Sequence, residues 1–223
     1  MNRFVRRALV VPALCLAACT GSLFRSHATS PTAYMLSAGP ASHGDPAPAA
    51  GRPAPGAPAA EIPADLAVLR PKARAGLESD RIAVLYPDRR LDYFADARWS
   101  GPLGEVLQDL AVQEFHSHAN LRAVSGDASV FASAYWLEIE ITDFQAEYTS
   151  AASVPTVRVS LRARLGNSGD RHLVGQFAAT ALKPAAENRL SSIVDAFASA
   201  ADASLAEIAA QAGEKLAGVS EAR

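Results

Sequence analysis

Residues 154–165 constrain the fold more than any other stretch of the chain. Val157, Val159, Leu161, Ala163 and Leu165 alternate with Arg158, Ser160, Arg162 and Arg164. Successive side chains on a strand point to opposite faces, so this pattern predicts a strand with one dry face and one wet face. The dry face needs a cover, and two helical stripes supply it. Leu103, Val106, Leu107, Leu110, Ala111 and Phe115 predict a helix over residues 102–117, with Pro102 suited to its first turn. Leu190, Ile193, Val194, Phe197, Ala201, Leu205, Ile208, Ala212 and Leu216 form a longer stripe. The pattern predicts an α+β two-layer sandwich, a mostly antiparallel sheet packed against two main helices.

Other strands follow from shorter signals. Residues 65–70 and 81–86 are β-prone runs bounded by Pro71 and Pro87, and residues 89–93 suggest another short strand. In residues 136–148, Leu137, Ile139 and Ile141 oppose Glu138 and Glu140. Asp143 and Phe144 break that phase, which predicts a bulge. The turn Asn167-Ser168-Gly169-Asp170 joins residues 154–165 to a strand at 172–182 as a hairpin.

The amino terminus reads differently. Arg3, Arg6 and Arg7 precede residues 8–18, which are apolar or small throughout. That is the charged and apolar layout of a secretory signal. The apolar run is too short to span a bilayer, which takes about 20 residues. Its end, Leu16-Ala17-Ala18-Cys19, resembles a bacterial lipobox. The resemblance implies cleavage of residues 1–18 and lipidation of Cys19 by diacylglycerol and an N-acyl chain, with no other cofactor. Thr20, in place of Asp, leans toward the periplasmic face of the outer membrane, and the inner membrane stays open. Residues 19–33 then form a lipidated tether. Residues 34–36 (Tyr-Met-Leu) are a candidate first strand or part of that tether. Residues 37–60 form a Pro/Ala/Gly-rich insert expected to be disordered, and residues 61–218 the folded domain. About 24 flexible residues reach roughly 25–30 Å on average and about 80 Å when taut.

Charge and cysteine content narrow the function. Cleavage before Cys19 removes Arg3, Arg6 and Arg7 and no acidic residue, so the mature body is more acidic than the precursor's net charge of −2. An acidic body argues against nucleic acid as a partner. Cys15 and Cys19 are the only cysteines, so the mature domain has none for a disulfide, a metal site or a nucleophile. Phosphate-loop, HExxH and GxSxG motifs are missing. His116 and His118 stand two apart at a helix end and point to different faces. Asp88, Asp92 and Asp96 alternate with arginines and read as a charged loop. No metal site and no enzymatic activity are expected.

Two stretches suit a partner. Arg158, Arg162 and Arg164 share one strand face, followed by Arg171. They form a docking strip for an acidic partner or lipid headgroups, or a solvated face paired to Glu138 and Glu140. Residues 91–99 gather three aromatics. Tyr93, Phe94, Arg98 and Trp99 are candidate partner contacts, and the alternative for Trp99 is a corner of the core. An exposed aromatic cluster also suits a homo-oligomer.

The lipobox, the Tyr34-Met35-Leu36 triplet and residues 81–110 (RIAVLYPDRRLDYFADARWSGPLGEVLQDL) together resemble the ABC-type transport auxiliary lipoprotein family, which includes the paraquat-inducible protein C type. Residues 135–148, the arginine-rich strand and residues 196–209 add support, while the insert at 37–60 departs from the family pattern. The resemblance implies a non-enzymatic auxiliary subunit of a lipid transport system. Its partners would be an MCE-domain protein, an ABC permease and an ATPase, with phospholipid contact left open. It favours residues 34–36 as a strand. An outer-membrane lipoprotein that regulates cell-wall synthesis, or helps assemble an envelope complex, shares the same gross organisation and is the competing reading.

Overall fold

The computed structural model describes residues 30–37, 61–126, 132–150 and 152–221. Its folded unit starts at Pro31. In chain order the elements are β1 (Thr32–Tyr34), β2 (Ile62–Val68), β3 (Lys72–Ala73), β4 (Arg81–Leu85), β5 (Leu91–Trp99), α1 (Leu103–His118), β6 (Leu121–Ser125), β7 (Tyr135–Glu147), β8 (Thr156–Asn167), β9 (Leu173–Pro184) and α2 (Leu190–Glu221). The expected α+β sandwich is present as one mixed sheet with both helices on its inner face.

The strand β7 is the spine. On one edge it pairs antiparallel with β8 along its whole length, and β8 pairs antiparallel with β9. On the other edge it takes β2, β3 and β4 in succession, each parallel to it. The interruptions between those three have local causes. Pro71 has no amide for a ladder. Gly76 turns the chain at φ 91°, a conformation that suits glycine. Beyond this edge, β6 pairs parallel with β2, β5 pairs antiparallel with β4, and β1 pairs parallel with β5. Long strands are therefore antiparallel and short ones mostly parallel.

The first strand lies at Thr32–Tyr34, two residues before the expected 34–36. Thr32 sits opposite Ala97 and Tyr34 opposite Trp99. Tyr34 packs against the core and Leu36 is buried, while Met35 between them is 77% exposed. The expected signal segment, Cys19 and all but Ser37 of the insert lie outside the described residues. At the other end α2 runs past the expected end, to Glu221.

The core is centred on three aromatic rings from three elements. Trp99 of β5 meets Phe144 of β7 edge-on at 5.8 Å between ring centroids. Phe144 stacks on Phe197 of α2 at 5.0 Å. A register shift between Ile141 and Asp143 makes this arrangement possible. Before the shift Ile139 and Ile141 face inward. After it Phe144 and Ala146 do, and Asp143 is turned outward beside Ser160. The bulge therefore comes just before the residues that first signalled it.

Candidate functional site

The outer face of β7, β8 and β9 carries the charged residues that the alternation exposes. Glu138 accepts hydrogen bonds from Lys72 of β3 at 2.8 Å and forms an ion pair with Arg164 of β8 at 2.9 Å. The Lys72 hydrogen bond outweighs burial and, with the charge of Arg164, holds the Glu138 carboxyl below its ordinary range. Arg158 donates to Glu147 at 2.7 Å, and Arg74 lies 3.7 Å from Asp143. Arg162 stands opposite Glu140 in register but makes no ion pair among the described residues. A groove of about 700 Å³ opens here, lined by Lys72, Glu138, Glu140, Arg162, Arg164 and Gln176. The expected pairing of the arginines to glutamates thus holds for Arg164 with Glu138, and Arg162 is left over.

Trp136 lies on the same face. A Cβ added to Gly166 would come within 2.1 Å of its indole, so the ring lies flat against the β8 backbone where glycine has no side chain. Trp136 borders a second hollow with Ser168 and Arg171. Period-two alternation from Glu138 places Trp136 outward. Lys72 gave no such signal, because a two-residue strand has no period.

The four aromatic-cluster residues do not form one surface. In β5 the register jumps, with Ala83 opposite Tyr93 but Arg81 opposite Arg98, so residues 94–97 bulge out of the ladder with β4. Trp99 is 1% exposed and belongs to the core, which removes it from the candidate contacts. Tyr93 is half-buried. Its hydroxyl donates to the Gly76 carbonyl at 2.8 Å, and the Arg81 guanidinium lies 3.7 Å from its ring centroid. Phe94 is half-buried against the core, and Arg98 is exposed 3.8 Å from Asp80.

Three of the other titratable residues singled out in the sequence, His118, Asp88 and Asp92, have structural partners. His118 lies 3.0 Å from Glu114, which is buried between α1 and α2. Burial pushes the Glu114 carboxyl up, His118 pulls it back, and Asp202 adds to the rise. Asp88 and Asp92 cap backbone amides of Arg90 and Tyr93. Among the described residues there is no cluster of His, Cys, Asp or Glu able to hold a metal. No described helix is long and apolar enough to cross a membrane.

A family model for the ABC-type transport auxiliary lipoprotein component matches residues 46–209. The chain belongs to this family. The fold is similar to that of the crystal structure of protein XCC0632 from Xanthomonas campestris, with 23% identity and a TM-score of 0.64. That match covers 86% of this chain and 97% of the other. A hypothetical protein from Chlamydia trachomatis matches with 12% identity and a TM-score of 0.51, over 70% of this chain and 99% of its own. No curated relative matches the sequence. The family name assigns this lipoprotein an auxiliary place in an ABC-type transport system.

Proposed function

We propose that this protein is a lipid-anchored, non-catalytic auxiliary subunit of an MCE-associated lipid transport system, held by acylated Cys19 at the periplasmic face of the outer membrane. The family match over residues 46–209 carries the reading. The lipobox-like segment ending in Cys19 supports the anchor, because a multiply acylated cysteine holds a protein to a bilayer without any spanning helix. In this reading ATP is used by a separate ATPase, and this chain joins its periplasmic partner to a membrane. Tyr93, Phe94 and Arg98, on the bulged β5, are the proposed contacts with the MCE-domain protein. Self-association into a homo-oligomer and contact with phospholipid are compatible with that role.

The test is co-purification. The full chain is expressed in its own bacterium, extracted in mild detergent and captured by a carboxyl-terminal tag. Recovery of an MCE-domain protein with a permease and an ATPase is expected. Recovery of a peptidoglycan synthase in their place would overturn the reading.

A further inference from the structure

The long strand β9 closes one side of the sheet, and among the described residues it pairs only with β8. The phase of that pairing is fixed at its end, where the Ala185 amide donates to the Pro155 carbonyl at 3.0 Å. Backbone groups alternate in direction along a strand, so residues 177, 179, 181 and 183 also bond to β8. Gln176, Ala178, Thr180 and Leu182 therefore direct their N–H and C=O groups away from the sheet. Among the described residues nothing accepts or donates to them. Pro184, which has no N–H to offer, stands in the same outward phase. All four residues are exposed, Leu182 to 51%. From Leu173 to Leu182 there is no charged side chain. Lysines and inward charges are the usual devices that keep such an edge from pairing, and this edge has neither until Lys183.

We propose that β9 accepts an extended strand from an acidic partner protein, which adds to the sheet with its carboxylates on the outer face. Arg162 selects the charge. In register it stands beside Ala178, whose methyl group is the only side chain between it and the free edge. Neighbouring strands lie about 4.8 Å apart, so a glutamate opposite Ala178 is within reach of the Arg162 guanidinium. Arg158 and Arg164 already hold Glu147 and Glu138, whereas among the described residues Arg162 holds no carboxylate. A second copy of this chain fits less well. Its own β9 would bring Gln176, Ala178, Thr180 and Leu182 to that face and no acid. Main-chain hydrogen bonds supply the affinity in this mode of recognition, and alternate side chains supply the selectivity. The inference does not depend on the transport reading.

The experiment uses the full chain in detergent and a synthetic peptide alternating glutamate with valine, with a lysine-for-glutamate peptide as control. Fluorescence anisotropy of the labelled peptide and amide exchange at residues 176, 178, 180 and 182 are the readouts. The acidic peptide is expected to bind about tenfold or more tightly than the basic one, and to slow exchange at those four amides. Ala178→Pro removes an outward amide that has no partner, so the fold should tolerate it while binding is lost. Arg162→Glu should reverse the preference between the two peptides, and decides the matter if the proline variant unfolds. Equal binding of both peptides by the native protein would overturn the proposal. So would protection of the four amides that rises with protein concentration alone, since a second copy would then be the occupant.

Discussion

The indole of Trp99 meets the ring of Phe197 edge-on, with centroids 5.2 Å apart and planes inclined at 82°. This contact joins β5 to α2, so the helical layer and the outer part of the sheet are locked through one side chain. Trp99→Ala leaves a cavity between them and is expected to lower stability by about 3–5 kcal/mol. Chemical denaturation followed by circular dichroism measures it. A loss below about 1 kcal/mol would mean that the three rings do not form the centre of the core.

Trp136 and Gly166 predict a coupled pair. Gly166→Ala places a methyl group inside the space the indole occupies, and is expected to destabilise by about 1–3 kcal/mol. With Trp136→Ala already present, the same change should be nearly silent. A double-mutant cycle reads the coupling, and simple additivity would show that the ring does not lie over Gly166 in solution.

Two glutamates give opposite pH dependence. Burial holds Glu114 above its ordinary value of 4.5, so the folded state keeps the proton longer than the unfolded chain. The stability from protonated Glu114 is fully present below 4.5 and is lost as pH rises through the folded value. Glu114→Gln should therefore stabilise the protein near neutral pH and do little in acid. Lys72 and Arg164 hold Glu138 below 4.5. Its contribution is present above that value and disappears as pH falls through the folded one, so Glu138→Gln should destabilise near neutral pH and do little in acid. Denaturation midpoints at about pH 7, at about pH 4 for Glu114, and in stronger acid, below the folded-state value of Glu138, check both signs.

The anchor is tested at one residue. Cys19→Ser is expected to leave an uncleaved precursor that takes up no labelled palmitate. Normal maturation of the serine chain with labelled palmitate attached would remove the lipid from Cys19.

The elements with an unbroken period were legible in the sequence. The strand β8 showed itself by alternation and both helices by their stripes, because each is decided by its own residues. Only the start of β5 was, within the strand expected at 89–93, because Phe94 breaks the alternation that Asp92, Asp96 and Arg98 otherwise keep, and residues 94–97 bulge away from β4 before Arg98 pairs with Arg81 again. The two-residue β3 and the five-residue β6 are placed by pairing with distant strands, which a local pattern does not record. Trp99 divided in the same way. Its size marked it for burial or for contact, and the choice was made by Phe144 and Phe197 from elements far along the chain. On the outer face the arginine strip could be read directly, but that Lys72 and Arg164 share Glu138 depends on the pairing of β3 and β8 with β7.

The docking of β1 on β5 also decides how the protein responds to pulling. Tension arriving from the amino terminus reaches a grip only three residues long before it reaches anything else in the domain. With the lipid anchor proposed above, β1 on β5 would be the first contact to take a pull from the membrane, ahead of every strand paired with β7.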